Sequence, residues 1–308
     1  MSVRCFLGPA ATIFSPSGVC GLLRPRSLHP CAAARKMMST RQKDHLERTA
    51  TNHRQTALFP AKVCGITEES DTVRRLRLAV SDPKFTFKAG QWVDFFIPDL
   101  ATVGGFSICS SPGLLRREGV IELAVKYSQH PPAHWIHREC RVDSEVALRV
   151  GGDFFFDPQP LDRPVDLLLL AGGVGINPLF SILLHAADLL REHSANGAPY
   201  RPGSIRLCYS ARSVHELLFK STILDLCQEF PGTISCDFFA TRQSDTVQPH
   251  LGQHVREGRI TEQVLKDHLE RKDPQCYLCG PPPMINSISD RLLHLGLPQD
   301  RIHFEKWW

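Results

Sequence analysis

The chain has 308 residues, 42% hydrophobic and 22% charged, with a formal net charge of +4. That is globular composition, which excludes collagen-like, coiled-coil and mainly disordered classes, and no uninterrupted apolar run approaches the ~18–20 residues of a bilayer span. The positive charge sits at one end. Residues 1–43 hold seven Lys or Arg and no acid, and the rest holds 29 basic against 32 acidic residues, so nucleic-acid binding loses its support.

The first 43 residues, rich in Ala, Ser, Pro and Arg, have the composition of a mitochondrial transit peptide and disordered leader. A secretory signal needs a longer apolar core than Pro16, Gly18, Gly21, Pro25 and Pro30 allow. From about residue 50 to residue 160 the pattern is β. Val73, Leu76 and Leu78 lie among arginines, Val120 to Tyr127 alternates, and Glu145 to Val150 follows a polar turn. Short strands between Gly, Pro and Ser clusters predict a small antiparallel barrel, with one short helix at 134–140.

The grammar changes near Leu161–Pro164. Val165 to Ala171 is a continuous apolar strand of the kind a parallel sheet buries on both faces. Leu179, Ile182, Leu183, Ala186 and Leu190 then recur at helical spacing. Strands at Ile205–Tyr209, Ile234–Ala240 and Cys276–Leu278 alternate with helices near Glu216–Cys227, Glu262–Leu269 and Met284–Leu295. Alternation of this kind predicts a doubly wound α/β domain over residues 161–308.

Cysteine gives little framework. Eleven are present, an odd number, and those beyond the leader are scattered singly, as expected of free thiols in a reducing compartment. Cys276 and Cys279 are three apart on a strand and so point to opposite faces, which argues against a redox or metal pair. His130, His134 and His137 are read as packing or surface residues, because Pro131 and Pro132 argue against one helix carrying all three and no Cys or acid completes a ligand set. No metal centre is expected. No G-x-S-x-G is present to support a serine hydrolase.

The strongest motif is Ala171-Gly-Gly-Val-Gly-Ile-Asn-Pro178, joining the first α/β strand to its helix. Glycines permit a close backbone approach, Asn177 suits an N-cap and Pro178 a first helical residue. Gly172, Gly173, Val174, Gly175, Ile176 and Asn177 would then present backbone N–H groups and the positive end of a helix to a phosphate. A second junction, Cys279-Gly280-Pro-Pro-Pro-Met284, would open into the same crevice. By itself it reads as an ordinary buried Cys before a proline-rich turn.

These motifs, with Tyr209-Ser-Ala-Arg212, Glu216-Leu-Leu-Phe-Lys220, Gly258-Arg-Ile-Thr261 and the ending Arg301-Ile-His-Phe-Glu-Lys-Trp307, resemble the ferredoxin–NADP reductase-type flavoprotein reductases over nearly 150 residues. Ala89-Gly-Gln-Trp-Val93 and Phe106-Ser-Ile108 extend the resemblance to the first half. It implies an FAD-binding-type β-barrel at 50–160 followed by an NAD(P)-binding α/β domain. Hydride would pass between nicotinamide and flavin, and electrons on to an unknown acceptor, possibly a protein. It further implies phosphates on Gly172–Asn177, Cys279 beside the nicotinamide with Gly280 in the same turn, Phe106 and Ser107 at the flavin, Glu305 near the same chemistry and Trp307 covering the flavin.

Two family features are missing. Gly104 stands where relatives carry the arginine that pairs with the flavin phosphate, and Gln129-His-Pro-Pro-Ala-His-Trp135 replaces the glycine-rich phosphate turn. FAD, FMN and no flavin all remain open, as does a flavin-free NAD(H)-binding sensor or interaction protein. Thr241-Arg242, after the third strand, could reach a 2′-phosphate, which leaves NAD and NADP both open.

Overall fold

The computed structural model describes residues 44–242, 254–269 and 273–306. The leader 1–43 and Trp307 lie outside the described residues. The first sheet is built from β1 (Phe59–Ser70), β2 (Val73–Ala79), β3 (Trp92–Phe96), β4 (Gly104–Ser107), β5 (Val120–Lys126) and β6 (Glu145–Gly151), with every neighbouring pair antiparallel. Its order is β4-β3-β6-β1-β2-β5. The two edges meet where Ile108, just beyond β4, bridges Leu123 of β5, and Cys109 N–H donates to the Glu122 carbonyl at 2.9 Å. The sheet thereby closes into a barrel. Val63, Leu76, Leu78, Phe95, Ile121, Leu123 and Leu148 fill it, because alternate strand residues share a face.

The second sheet is wholly parallel: β7 (Leu167–Gly172), β8 (Ile205–Ala211), β9 (Ile234–Ala240), β10 (Val255–Glu257), β11 (Gln275–Gly280) and β12 (Ile302–Lys306), in the order β10-β9-β8-β7-β11-β12. All six residues of β7 are buried, as a strand covered on both faces must be. The crossover helices described are α4 (Ile176–Asn196), α5 (Lys220–Glu229), α6 (Glu262–Leu269) and α7 (Pro282–His294). In the barrel half, α1 (His45–Arg48) precedes β1, while α2 (Pro112–Glu118) and α3 (Pro131–Arg138) flank β5. By length and hydropathy α4 could span a membrane, but most of it is buried inside the protein. The antiparallel barrel and the doubly wound α/β sheet are the architecture expected from the sequence.

Three local expectations change. The barrel half carries α2 as well as the helix expected at 134–140. Its signals are present in sequence: Ser111 caps it by accepting from Leu114 N–H, Pro112 opens it, and Gly119 ends it at φ 68°. Pro131 and Pro132 do not interrupt α3. They occupy its first turn, where missing N–H groups break no helical bond. The helix expected from Glu216 starts only at Lys220, because Leu217, Leu218 and Phe219 turn into the core, and Phe219, at φ 56°, stacks on Phe180 at 4.2 Å.

The two halves meet along α4. Asn177 Nδ2 donates to the Ala124 carbonyl of β5 at 2.6 Å, Ser181 Oγ to the Ser110 carbonyl at 2.6 Å, and Ser111 Oγ to Asp188 at 2.6 Å. Tyr277 of β11 donates to the Phe155 carbonyl at 3.1 Å. A single core runs from Ala89, Cys109 and Ala124 of the barrel half to Leu179, Ile182 and Cys279 of the α/β half.

The outer face of β3 is closed by the segment before β1. Asp44 caps α1 with a reciprocal capping box, and His45 enters against Gly105, where any side chain would overlap its ring. His45 Nε2–H donates to Asp94 at 2.8 Å, Arg54 Nε at 3.0 Å and Arg149 Nη2 at 2.7 Å, around a carboxylate with no exposure. Burial pushes the Asp94 carboxyl up, but the donors from His45, Arg54 and Arg149 outweigh it and hold it below the usual range. Stabilisation from this network is therefore full above the ordinary carboxylate pKa of ~4 and is lost as pH falls through the depressed folded value. Asp94→Asn should cost about 3–5 kcal/mol at pH 7. In urea unfolding the gap to wild type should narrow below about pH 4; a gap independent of pH removes Asp94 as the charged member.

Candidate functional site

The order of the second sheet reverses at β7: the chain first adds β8, β9 and β10 on one side, then β11 and β12 on the other. Connections leaving β7 and β11 therefore diverge, and open α/β sheets bind ligands in the crevice this creates beyond the carboxyl ends. Two strand-to-helix turns border it here. β7 ends at Gly172, a turn of 3₁₀ helix covers Gly173–Gly175, and α4 begins at Ile176. β11 ends at Gly280 and α7 begins at Pro282.

The glycines serve different ends. A Cβ on Gly175 would overlap the Cys279 carbonyl, and one on Gly172 would meet Met284 Sδ at 2.5 Å. The Gly280 Cβ position lies 3.1 Å from Gly172 Cα. These three let the two turns touch backbone to backbone. Gly173 alone has positive φ (55°) and open space where a Cβ would be. It lies at the head of α4, whose first turn has no side-chain cap; Ile176 N–H bonds back to the Gly173 and Val174 carbonyls, and the N–H groups that open a helix generally call for an acceptor from outside it. The turn after β11 differs, since Pro281, Pro282 and Pro283 bring no N–H.

Asn177 is not the N-cap expected from the motif. It lies inside the first turn, buried, with Nδ2 spent on the barrel carbonyl. The 3₁₀ turn tightens the entry to α4 so that the helix begins before it. Asn177 Oδ1 is buried without a hydrogen-bond partner. At the mouth of the crevice, this acceptor suits a ligand hydroxyl or amide. Val174 is half-buried and Ile176 fully buried at the same turn.

Cys279 is fully buried, and burial, then the Glu305 charge, pushes its thiol well above the usual range. It is a neutral, close-packed group at neutral pH, not a thiolate nucleophile. Glu305 pairs with it in register on β12. Glu305 also lines a cavity of about 350 Å³ shared with Trp92, Phe154, His303, Lys306 and the α1 segment. Ser107, buried, lies opposite Trp92 on the adjacent barrel strand. The structure thus sets Cys279 beside Glu305, and Glu305 across the cavity from Trp92. Phe106 turns the other way, packing edge-on against Phe95 at 5.6 Å toward the barrel interior. Trp92 and the α1 segment carried no binding signal in the sequence analysis; only the fold brings them to the cavity.

The phosphate half of a flavin site does not fit these residues. A side chain at Gly104 would meet the Phe106 ring at 2.6 Å and Pro132 at 3.0 Å, so the place of the family arginine is filled. The helix that follows offers no N–H from Pro131 or Pro132. His130 is held below its usual pKa by burial and by Arg48, and Lys126 faces Glu216 at 3.9 Å.

An oxidoreductase NAD-binding domain matches residues 169–290. The chain is 62% identical over 272 residues to oxidoreductase NAD-binding domain-containing protein 1 of Danio rerio, covering 88% of this chain and 100% of the relative. Among solved structures it is similar to a cytochrome P450 reductase from Amycolatopsis (TM-score 0.66, 23% identity, 81% and 69% of the two chains). It is also similar to a ferredoxin NADP+ reductase from Neisseria gonorrhoeae with bound FAD and NADP (TM-score 0.65, 17% identity, 82% and 100%). The chain belongs to the oxidoreductase NAD-binding domain-containing protein 1 family, built on the ferredoxin–NADP reductase-type fold.

Proposed function

We propose that the chain is an NAD(P)H-dependent oxidoreductase that takes hydride from a nicotinamide nucleotide held across the crevice between the β7 and β11 turns. The observation that carries this is Gly173, positive in φ, open in front, and placed at the uncapped head of α4 at the switch point. Phosphates accept from N–H groups of the Gly172–Asn177 turn, and the free Asn177 Oδ1 takes a donor from the nucleotide. Gly280 keeps the second turn low enough for the nucleotide to cross. Cys279 packs beside the nicotinamide as an uncharged thiol, so no thiolate competes for the ring. Glu305 stands at the edge where the acceptor approaches through the cavity it shares with Trp92. The backbone of Ser210–Arg212 runs beside Thr241 and Arg242, with Arg242 N–H donating to the Arg212 carbonyl at 2.7 Å. A 2′-phosphate would meet that pair of arginines.

The blocked place at Gly104 favours a second reading, a flavin-free NAD(H)-binding protein acting through a partner. Electrons otherwise leave to an acceptor of unknown identity, a flavin that enters and leaves or a protein. A mitochondrial location, with residues 1–43 as the transit peptide, is part of this proposal and rests on composition alone.

Two glycine variants separate binding from folding. Gly173→Asp places a carboxylate in open space, and Asp tolerates positive φ. NADH should bind at least about tenfold more weakly, with little change in melting temperature; unchanged affinity by calorimetry would remove the phosphate-loop assignment. Gly175→Ala should instead destabilise the fold by about 1–3 kcal/mol in urea unfolding, because backbone cannot yield to its Cβ. The visible spectrum of the full chain, taken after incubation with FAD or FMN and removal of free flavin, decides between the readings. Retained flavin that bleaches anaerobically with NADH or NADPH supports the reductase. A colourless protein that still binds NADH supports the flavin-free reading.

A further inference from the structure

The parallel sheet has a second chemical cluster, on the face covered by α6 and α7 and opposite the barrel. Cys208 of β8 and Asp237 of β9 are register partners and project from the same face. His268 comes down from α6 onto them. The Cys208 Sγ, an Asp237 carboxylate oxygen and a His268 ring nitrogen all lie within 4.8 Å of one another. Cys208 lies in a buried apolar cluster with Phe239, Val264, Leu265 and Cys276, while Asp237 and His268 are partly exposed at its edge.

Hydrogen bonding leaves this group unfinished. His268 Nε2 is buried with no hydrogen-bond partner, and Asp237 Oδ2 lies 3.8 Å away, beyond hydrogen-bond reach. Burial, with Arg206 next, holds the imidazole below its usual pKa. Buried polar atoms are rarely left so. Arg256 Nη2 bonds Asp237 Oδ1 at 3.0 Å and leaves Oδ2 toward the histidine. That is how outer partners orient metal ligands.

We propose that Cys208, Asp237 and His268 form a binding site for a divalent transition metal of the zinc type, with a fourth coordination position not supplied by these three residues. Thiolate, imidazole and carboxylate together suit zinc, whereas magnesium and calcium call for oxygen ligands alone. Bonds of ~2.0–2.3 Å at tetrahedral angles put ligand atoms ~3.3–3.6 Å apart. The three atoms need to close by about 1 Å, within reach of side-chain torsions. The metal replaces the thiol proton: the S–H bond breaks, the proton goes to solvent, the sulfur keeps the electron pair, and nothing is oxidised. Arg206, Arg256 and Asp267 are the other charges facing the cluster. Arg256 is half-exposed, so water screens its repulsion of the cation.

Cobalt(II) titration of the full chain under reducing, anaerobic conditions tests this. One equivalent should produce a near-ultraviolet thiolate-to-cobalt band together with the intense visible bands of a tetrahedral site, and one equivalent of zinc should abolish both. Cys208→Ser should remove the near-ultraviolet band, and His268→Gln should weaken cobalt binding at least tenfold. Cys64→Ser, at an exposed thiol, should change neither. Zinc should also raise the melting temperature of wild type but not of His268→Gln, a readout that survives if the buried Cys208 variant folds poorly. A wild-type chain with no such bands, or bands retained in both Cys208→Ser and His268→Gln, overturns the site.

Discussion

The two turns at the centre of the parallel sheet touch through backbone, and most of what surrounds the crevice follows from that contact. Gly175 meets the Cys279–Gly280 peptide and Gly280 meets the Gly172 backbone, while the Met284 side chain and the Pro281 ring close over Gly172. This pins the start of α4 directly over β11 and holds the head of the helix at the switch point. Any Cβ at Gly175 would force the turns apart and tilt α4. Because α4 also carries Asn177, Ser181 and Asp188 against the barrel, such a tilt would pull apart the polar seam joining the two halves. One close approach thus fixes both the crevice at the switch point and the placement of the barrel.

Charge is distributed by the same economy of space. Beside the crevice, Cys279 is a fully buried neutral thiol, and Glu305 is set to one side at the cavity. The strongly paired charges lie elsewhere. Asp94, with His45, Arg54 and Arg149, locks the segment before β1 onto the barrel. That lock uses the β3–β4 face on which Gly105 and Ser107 sit, while Pro132 of α3 fills the face beneath Gly104. Both faces of the strand that carries the family's flavin motif are therefore occupied by the chain's own residues. Gly104 and the proline-led start of α3 go together structurally, since Pro132 takes the room a side chain at position 104 would need.

Much of this was legible in the residues. Apolar runs and period-3.6 patterns marked four of the six described strands of the α/β half and its four crossover helices, and β9 and α6 have the bounds that the pattern alone predicts. The Gly172–Asn177 turn was legible because glycines between an apolar strand and an amphipathic run mark a junction where the backbone needs conformations other residues resist. The α2 helix was missed although Ser111-Pro112 and Gly119 signal it, because short helices between strands compete with turn readings of the same residues. What each glycine is for was not legible. Gly173 and Gly175 are two residues apart in one motif, yet one faces open space and the other a carbonyl, and only the packing of β11 tells them apart.

Local chemistry and chain order determined fold class, the order of the halves and the position of the glycine turn before α4, because hydrophobic period, turn residues and helix signals act over a few residues. Tertiary structure alone decided what long-range contact decides. It drew Asn177 off its expected cap to a barrel carbonyl 53 residues away. It placed His45 against Asp94 across 49 residues, filled the slot at Gly104, and gathered Cys208, Asp237 and His268 from two strands and a helix. None of these has a spacing that a sequence could display, since each depends on which strands become neighbours and how closely their backbones pack.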